Sequence, residues 1–101
     1  MDKVWKAIER SLAKYLNGKR IPVHSTEGIA CDVTTEIMDI QVKHGKSIPV
    51  FITKGMEQAV RDCREGKLPA LYLHKKQSEL GDGIICFRLK DFKDWYVNER
   101  N

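Results

Sequence analysis

The sequence predicts an α/β fold, a small mixed β-sheet flanked by helices, on three observations. Residues 4–16 carry apolar side chains at helical spacing: Val4, Ile8, Leu12, Tyr15 and Leu16. Residues 29–34 and 37–42 alternate apolar with polar, as half-buried strands do. Beyond them the pattern continues as helix, strand, strand, helix, so that both element types recur along one short chain. A length of 101 residues fits a single domain spanning 1–101.

Each element has a local reason. The first helix stops at Asn17-Gly18, and Arg20-Ile21-Pro22-Val23 reads as a short edge strand before a polar loop. A turn near Thr35-Glu36 joins the two alternating strands. The second helix starts between Pro49 and Thr53 and ends at Gly66, with Ile52, Met56, Ala59, Val60 and Cys63 on its apolar face. Residues 68–74 form a strand that Pro69 restricts to an edge or a strand start. After a polar connection, the unbroken apolar run Ile84-Ile85-Cys86-Phe87 suits a strand buried on both faces. Residues 90–97 close the chain as a helix, with Asp91 as its cap or first-turn acid.

Composition narrows the function. With 42% hydrophobic residues the chain is not disordered, and no apolar run approaches the ~20 residues of a membrane span. The opening Met1-Asp2-Lys3 is charged rather than secretory, which predicts an intracellular protein. Eighteen Lys and Arg against fourteen Asp and Glu give a net charge of +4, a balance that favours polyanionic partners. Cys31, Cys63 and Cys86 form no CxxC pair, so they are expected as reduced core thiols. Gly45-Lys46-Ser47 lacks the leading glycine of a phosphate loop and is followed by Pro49, which excludes that motif.

Three segments carry candidate chemistry. Strand alternation puts Met38, Ile40 and Val42 on one face and Asp39, Gln41 and Lys43 on the other. The same alternation turns Cys31 and Val33 inward and Asp32 outward, where a paired hairpin brings Asp32 towards Gln41 and Lys43. A solvated hairpin face carrying ordinary charges is the plain alternative. On the first helix Glu9 falls near the middle of the apolar stripe, close to Leu12. A carboxylate there needs a lysine or arginine partner, or a cation, and the latter would place it on the same pocket as Asp32.

Glu9-Arg10-xx-Ala13-xx-Leu16, then Asp32, then Gln41-Val42-Lys43 resemble the motif series of the PD-(D/E)XK nuclease superfamily. The chain is most similar to small phage-type Holliday junction resolvase-like proteins. Arg20-Ile-Pro-Val, Val42-Lys43-His44, Glu57-Gln58-Ala59, residues 67–74 and Arg88-Leu89-Lys90-Asp91-Phe92 extend the likeness over nearly the whole chain. The resemblance implies a restriction-endonuclease-like core of order α-β-β-β-α-β. It also implies a Mg²⁺- or Mn²⁺-dependent DNA endonuclease acting at branched junctions, intracellular and prokaryotic or phage-encoded. Glu9, Asp32, Gln41 and the carbonyl of Val42 would be metal ligands, and Lys43 the catalytic lysine. Lys19, Arg20, Ser25 and Lys46 would touch DNA, and Gln58 would be an accessory residue near the site. Two symmetric cuts at a four-way junction imply a homodimer, with Trp95 a candidate interface residue.

Gln41 departs from the pattern, because most relatives carry Glu or Asp there. A neutral amide oxygen is a weaker ligand, although Asp39 shares its face. A catalytically weakened DNA-binding or structural relative, a nicking or restriction-like endonuclease, and a plain interaction module are therefore the competing readings. His24-Ser25 is a phosphate contact or a plain turn, His74 with Lys75 and Lys76 tracks the DNA backbone or forms a solvated strand end, and His44 is expected in core packing or on a backbone hydrogen bond. Trp5 and Trp95 are expected as core or interface anchors.

Overall fold

A computed structural model describes residues 2–23, 26 and 28–100. Among the described residues it is α/β, with three α-helices and small antiparallel sheets rather than one mixed sheet, in two compact units, Met1–Lys46 and Ser47–Asn101. No helix among the described residues is long and apolar enough to cross a membrane.

In the first unit α1 (Asp2–Tyr15) leads into a three-stranded antiparallel sheet of β1 (Lys19–Arg20), β2 (Val33–Thr34) and β3 (Asp39–Ile40). The helix ends as the sequence predicts. Asn17 adopts the left-handed region at φ 57°, Gly18 N–H reaches back to the Ala13 carbonyl at 2.7 Å, and Asn17 N–H to Lys14 at 3.2 Å. Gly18 is also required by packing: a β-carbon there would overlap the Thr34 carbonyl oxygen, so only glycine lets the chain turn this tightly into β1.

The strands pair in the register Lys19 with Thr34, Arg20 with Val33, Val33 with Ile40 and Thr34 with Asp39. The hairpin turn is built by Thr35, whose hydroxyl accepts from Ile37 N–H at 3.2 Å and Met38 N–H at 3.0 Å. The alternation holds, since Val42 is buried and Met38 and Ile40 are half-buried, while Asp39, Gln41 and Lys43 are exposed. Ala13, Val33 and Val42 form the core, with Ile8, Leu12 and Ile40 packed against it; Val33 is fully buried.

The strands are shorter than the alternation implies, and the reason is local. Next to the Val33–Ile40 pair, the Asp32 carboxylate rather than a backbone carbonyl accepts the Val42 N–H, at 2.7 Å. A side chain has replaced the ladder, and regular β3 stops at Ile40.

The second unit contains α2 (Val50–Asp62), β4 (Leu71–Leu73), a 3-10 turn at Leu80–Asp82, β5 (Ile84–Cys86) and α3 (Leu89–Arg100). Pro49 precedes α2 with extended backbone. The helix ends at Asp62, four residues before the expected Gly66, because Cys63 is already extended. Met56 is buried, and Gly55 lets α2 lie against Leu71 of β4.

β4 and β5 pair antiparallel, Leu71 with Cys86 and Leu73 with Ile84. The expectation that residues 84–87 are buried on both faces is corrected. Ile84 and Ile85 are 61% and 57% exposed, since β5 is the outer strand of a two-stranded ribbon and α2 packs on β4. The cysteines are likewise free thiols at half-buried positions rather than core residues.

Asp91 lies in the first turn of α3 and binds Arg88 through two hydrogen bonds, of 2.6 and 3.1 Å. The Arg88 guanidinium holds the Asp91 carboxyl below the usual carboxylate range.

Candidate metal and phosphate site

Glu9 is projected from the second turn of α1, on the stripe that packs Ile8, Leu12 and Ala13 against the sheet. It is the buried charged residue among those described, at 9% exposure. A carboxylate so placed requires a counter-charge. Arg20, the last residue of β1, supplies it: Nε donates to Glu9 Oε1 at 2.8 Å.

Asp32 immediately precedes β2 and is tied to both neighbouring segments. Its N–H donates to the Ile40 carbonyl and its own carbonyl accepts from Ile21 N–H, each at 2.9 Å. Its Oδ2 takes the Val42 N–H, as described above, and this fixes the carboxylate beside the Gln41-Val42-Lys43 segment.

Glu9, Arg20 and Asp32 line one open hollow of about 790 Å³ in the first unit, together with Lys6, Trp5 and Cys31. The helical glutamate and the strand aspartate that the sequence singles out therefore share a cavity. Two cations, Lys6 and Arg20, also line it, which gives the hollow mixed charge suited to a phosphate and a metal together.

The other expected site residues fall outside that lining. Gln41 is exposed, and its side-chain amide donates to the Ala30 carbonyl at 3.4 Å; Ala30 itself lines the hollow. Val42 is buried, and Lys43 follows it as an exposed residue. Lys19 stands exposed on β1 opposite Thr34, and Lys46 is exposed at the end of the first unit. Gln58 is exposed on α2 in the second unit. His24 and Ser25 lie outside the described residues.

His44, expected in the core or on a backbone hydrogen bond, is instead exposed and meets Trp5 edge-on at 6.0 Å between ring centroids. Trp5 is half-buried and Trp95 is 42% exposed, its ring beside Phe92.

Among the described residues no group of three or more His, Cys, Asp or Glu side chains is placed to hold a metal. The side-chain donors that line the hollow are the Cys31 thiol and two carboxylates. The bonds described engage one oxygen of each carboxylate, Oε1 of Glu9 and Oδ2 of Asp32. The two carboxylates suit a hard cation such as Mg²⁺. The ion pair of Glu9 with an arginine is the alternative that the sequence left open, with Arg20 as the partner; Lys6 is the feature that sequence reasoning missed. The signal for Lys6 was its position one turn before Glu9 on α1.

Comparison with protein-family models, with curated proteins and with solved structures finds no match.

Proposed function

We propose that the chain is a metal-dependent DNA endonuclease of the PD-(D/E)XK type, with a restriction-endonuclease-like core, acting on branched DNA as a homodimer. The observation that supports this most is the shared hollow: Glu9 from α1 and Asp32 from the strand hairpin line it together, beside Arg20.

In this reading Glu9 and Asp32 hold Mg²⁺ or Mn²⁺, with the Gln41 amide oxygen and the Val42 carbonyl as further oxygen donors. When bound, the cation polarises the scissile phosphate and lowers the pKa of a water. Asp32 is a well-positioned ligand because the Val42 N–H fixes one of its oxygens. Lys43, exposed one residue beyond Val42, orients the attacking water or offsets the charge that builds on the phosphate. Arg20 and Lys6 favour entry of an anion into the hollow. Lys19, Ser25 and Lys46 contact neighbouring phosphates.

A second reading has one specific observation in its favour. Gln41 is neutral where a carboxylate would bind a cation more tightly, which suits a weakened, DNA-binding relative. Incubating the protein with a four-way junction, a flap and a linear duplex, with and without Mg²⁺, tests both. The nuclease reading expects Mg²⁺-dependent strand cleavage, fastest on the junction. Binding to DNA that weakens steeply with salt, with no cleavage in either Mg²⁺ or Mn²⁺, would select the weakened relative. Equal cutting of all three substrates would favour a nicking or restriction-like enzyme.

A further inference from the structure

The proposed reaction gives Glu9 a cation to hold, yet Glu9 already holds one. Its Oε1 is bonded to Arg20 Nε at 2.8 Å, and the two side chains are only 11% and 22% exposed. The pair is anchored from both sides, Glu9 by α1 and Arg20 by the pairing of β1 with β2 at Val33. A sheltered carboxylate left without a counter-charge is strongly unfavourable, so Glu9 needs Arg20 whenever no metal is present.

A divalent cation on Glu9 and a guanidinium on Glu9 are in conflict. Like charges within about 4–6 Å of each other disfavour both charged forms, and arginine does not give up its proton. The guanidinium must then withdraw from the metal. It lines the same hollow as Asp32, where an incoming phosphate would accept the bonds that it releases.

We propose that Arg20 is a positioning residue that serves as the internal counter-ion of Glu9 in the free protein and is exchanged for a divalent cation when phosphate enters the hollow. This rests on the reading of Glu9 as a metal ligand. Its consequence is that metal and phosphate each favour the other's binding, since each relieves the conflict that the other meets. The free protein binds metal weakly because Arg20 competes for the ligand.

The test is the affinity of the DNA-free protein for Mn²⁺, measured by calorimetry on the parent, Arg20→Gln and Arg20→Lys. Removing the competitor should tighten Mn²⁺ binding roughly tenfold in Arg20→Gln. A smaller gain is expected for Arg20→Lys, which keeps the charge but loses the planar fork. Thermal melting provides a second readout: Arg20→Gln should melt below the parent without metal and recover more than the parent when Mn²⁺ is added.

An Arg20 that merely braces the site predicts the opposite sign, and unchanged or weaker Mn²⁺ affinity in both variants overturns the exchange. Should Arg20→Gln fail to fold, Arg20→Lys still decides the sign. If the parent and both variants take up no Mn²⁺ at all, the metal-site reading itself fails and the exchange falls with it. Metal uptake by the parent without a gain in the variants removes only the exchange.

Discussion

Asp32→Asn is expected to slow metal-dependent cleavage on the order of 10²- to 10³-fold while leaving the fold intact. The substitution keeps the size of the side chain and an oxygen to accept the Val42 N–H, the bond that fixes this segment at 2.7 Å. It removes the negative charge that a hard cation needs. Metal assistance contributes several kcal/mol to transition-state stabilisation, and about 1.4 kcal/mol is tenfold in rate, so a loss on the order of 10²- to 10³-fold follows. Single-turnover cleavage of a four-way junction measures the loss, and an unaltered melting temperature shows that the fold is retained. Asp32→Ala is a useful contrast. It also strips the Val42 N–H of its acceptor, and leaving a sheltered donor unpaired costs about 1–3 kcal/mol of stability. An Asp32→Asn protein that cuts as fast as the parent would remove Asp32 from the site.

Lys43→Ala is expected to have the next largest effect, and a different one. Lys43 is exposed, so its truncation leaves the core of Ala13, Val33 and Val42 undisturbed. Losing one positioned donor to a developing negative charge typically costs about 10²- to 10³-fold in rate. Affinity for DNA should fall far less, with the dependence of log affinity on log salt becoming shallower by about one contact. Cleavage rate and salt-dependent binding, measured side by side, separate the two roles. A parallel fall in both, or a fall in binding alone, would make Lys43 an ordinary phosphate contact.

The parts of this molecule that were legible in the sequence are those fixed by periodicity. Of the stripe Val4, Ile8, Leu12, Tyr15 and Leu16, Ile8 and Leu12 pack on the core and Glu9 is carried inward beside them, while Val4 and Tyr15, at 53% and 40% exposure, stay outside it. The alternation from Met38 to Lys43 likewise settles which side chains face the core, because a strand has no other way to place them. Asn17-Gly18 marks the helix stop through backbone conformation, which depends on those two residues alone.

What was illegible depends on capture between distant groups. The Asp32 carboxylate takes the Val42 N–H and cuts the strands short, a contact between residues ten apart that no alternation encodes. The choice of Arg20 as the partner of Glu9 depends on where β1 docks beside α1. The apolar run Ile84-Ile85-Cys86-Phe87 was misleading for a related reason. Apolar composition reports what could be buried, whereas the outer position of β5 in a two-stranded ribbon decides what is.

The central claim is that Glu9 and Asp32 jointly hold a divalent cation, and Mn²⁺ bound to the crystalline protein tests it most directly. The account predicts an anomalous-scattering peak in the hollow, within coordination distance of a carboxylate oxygen from each residue, and its loss in Asp32→Asn. A hollow without a peak in crystals soaked to saturation, or a peak that ignores both carboxylates, would contradict it.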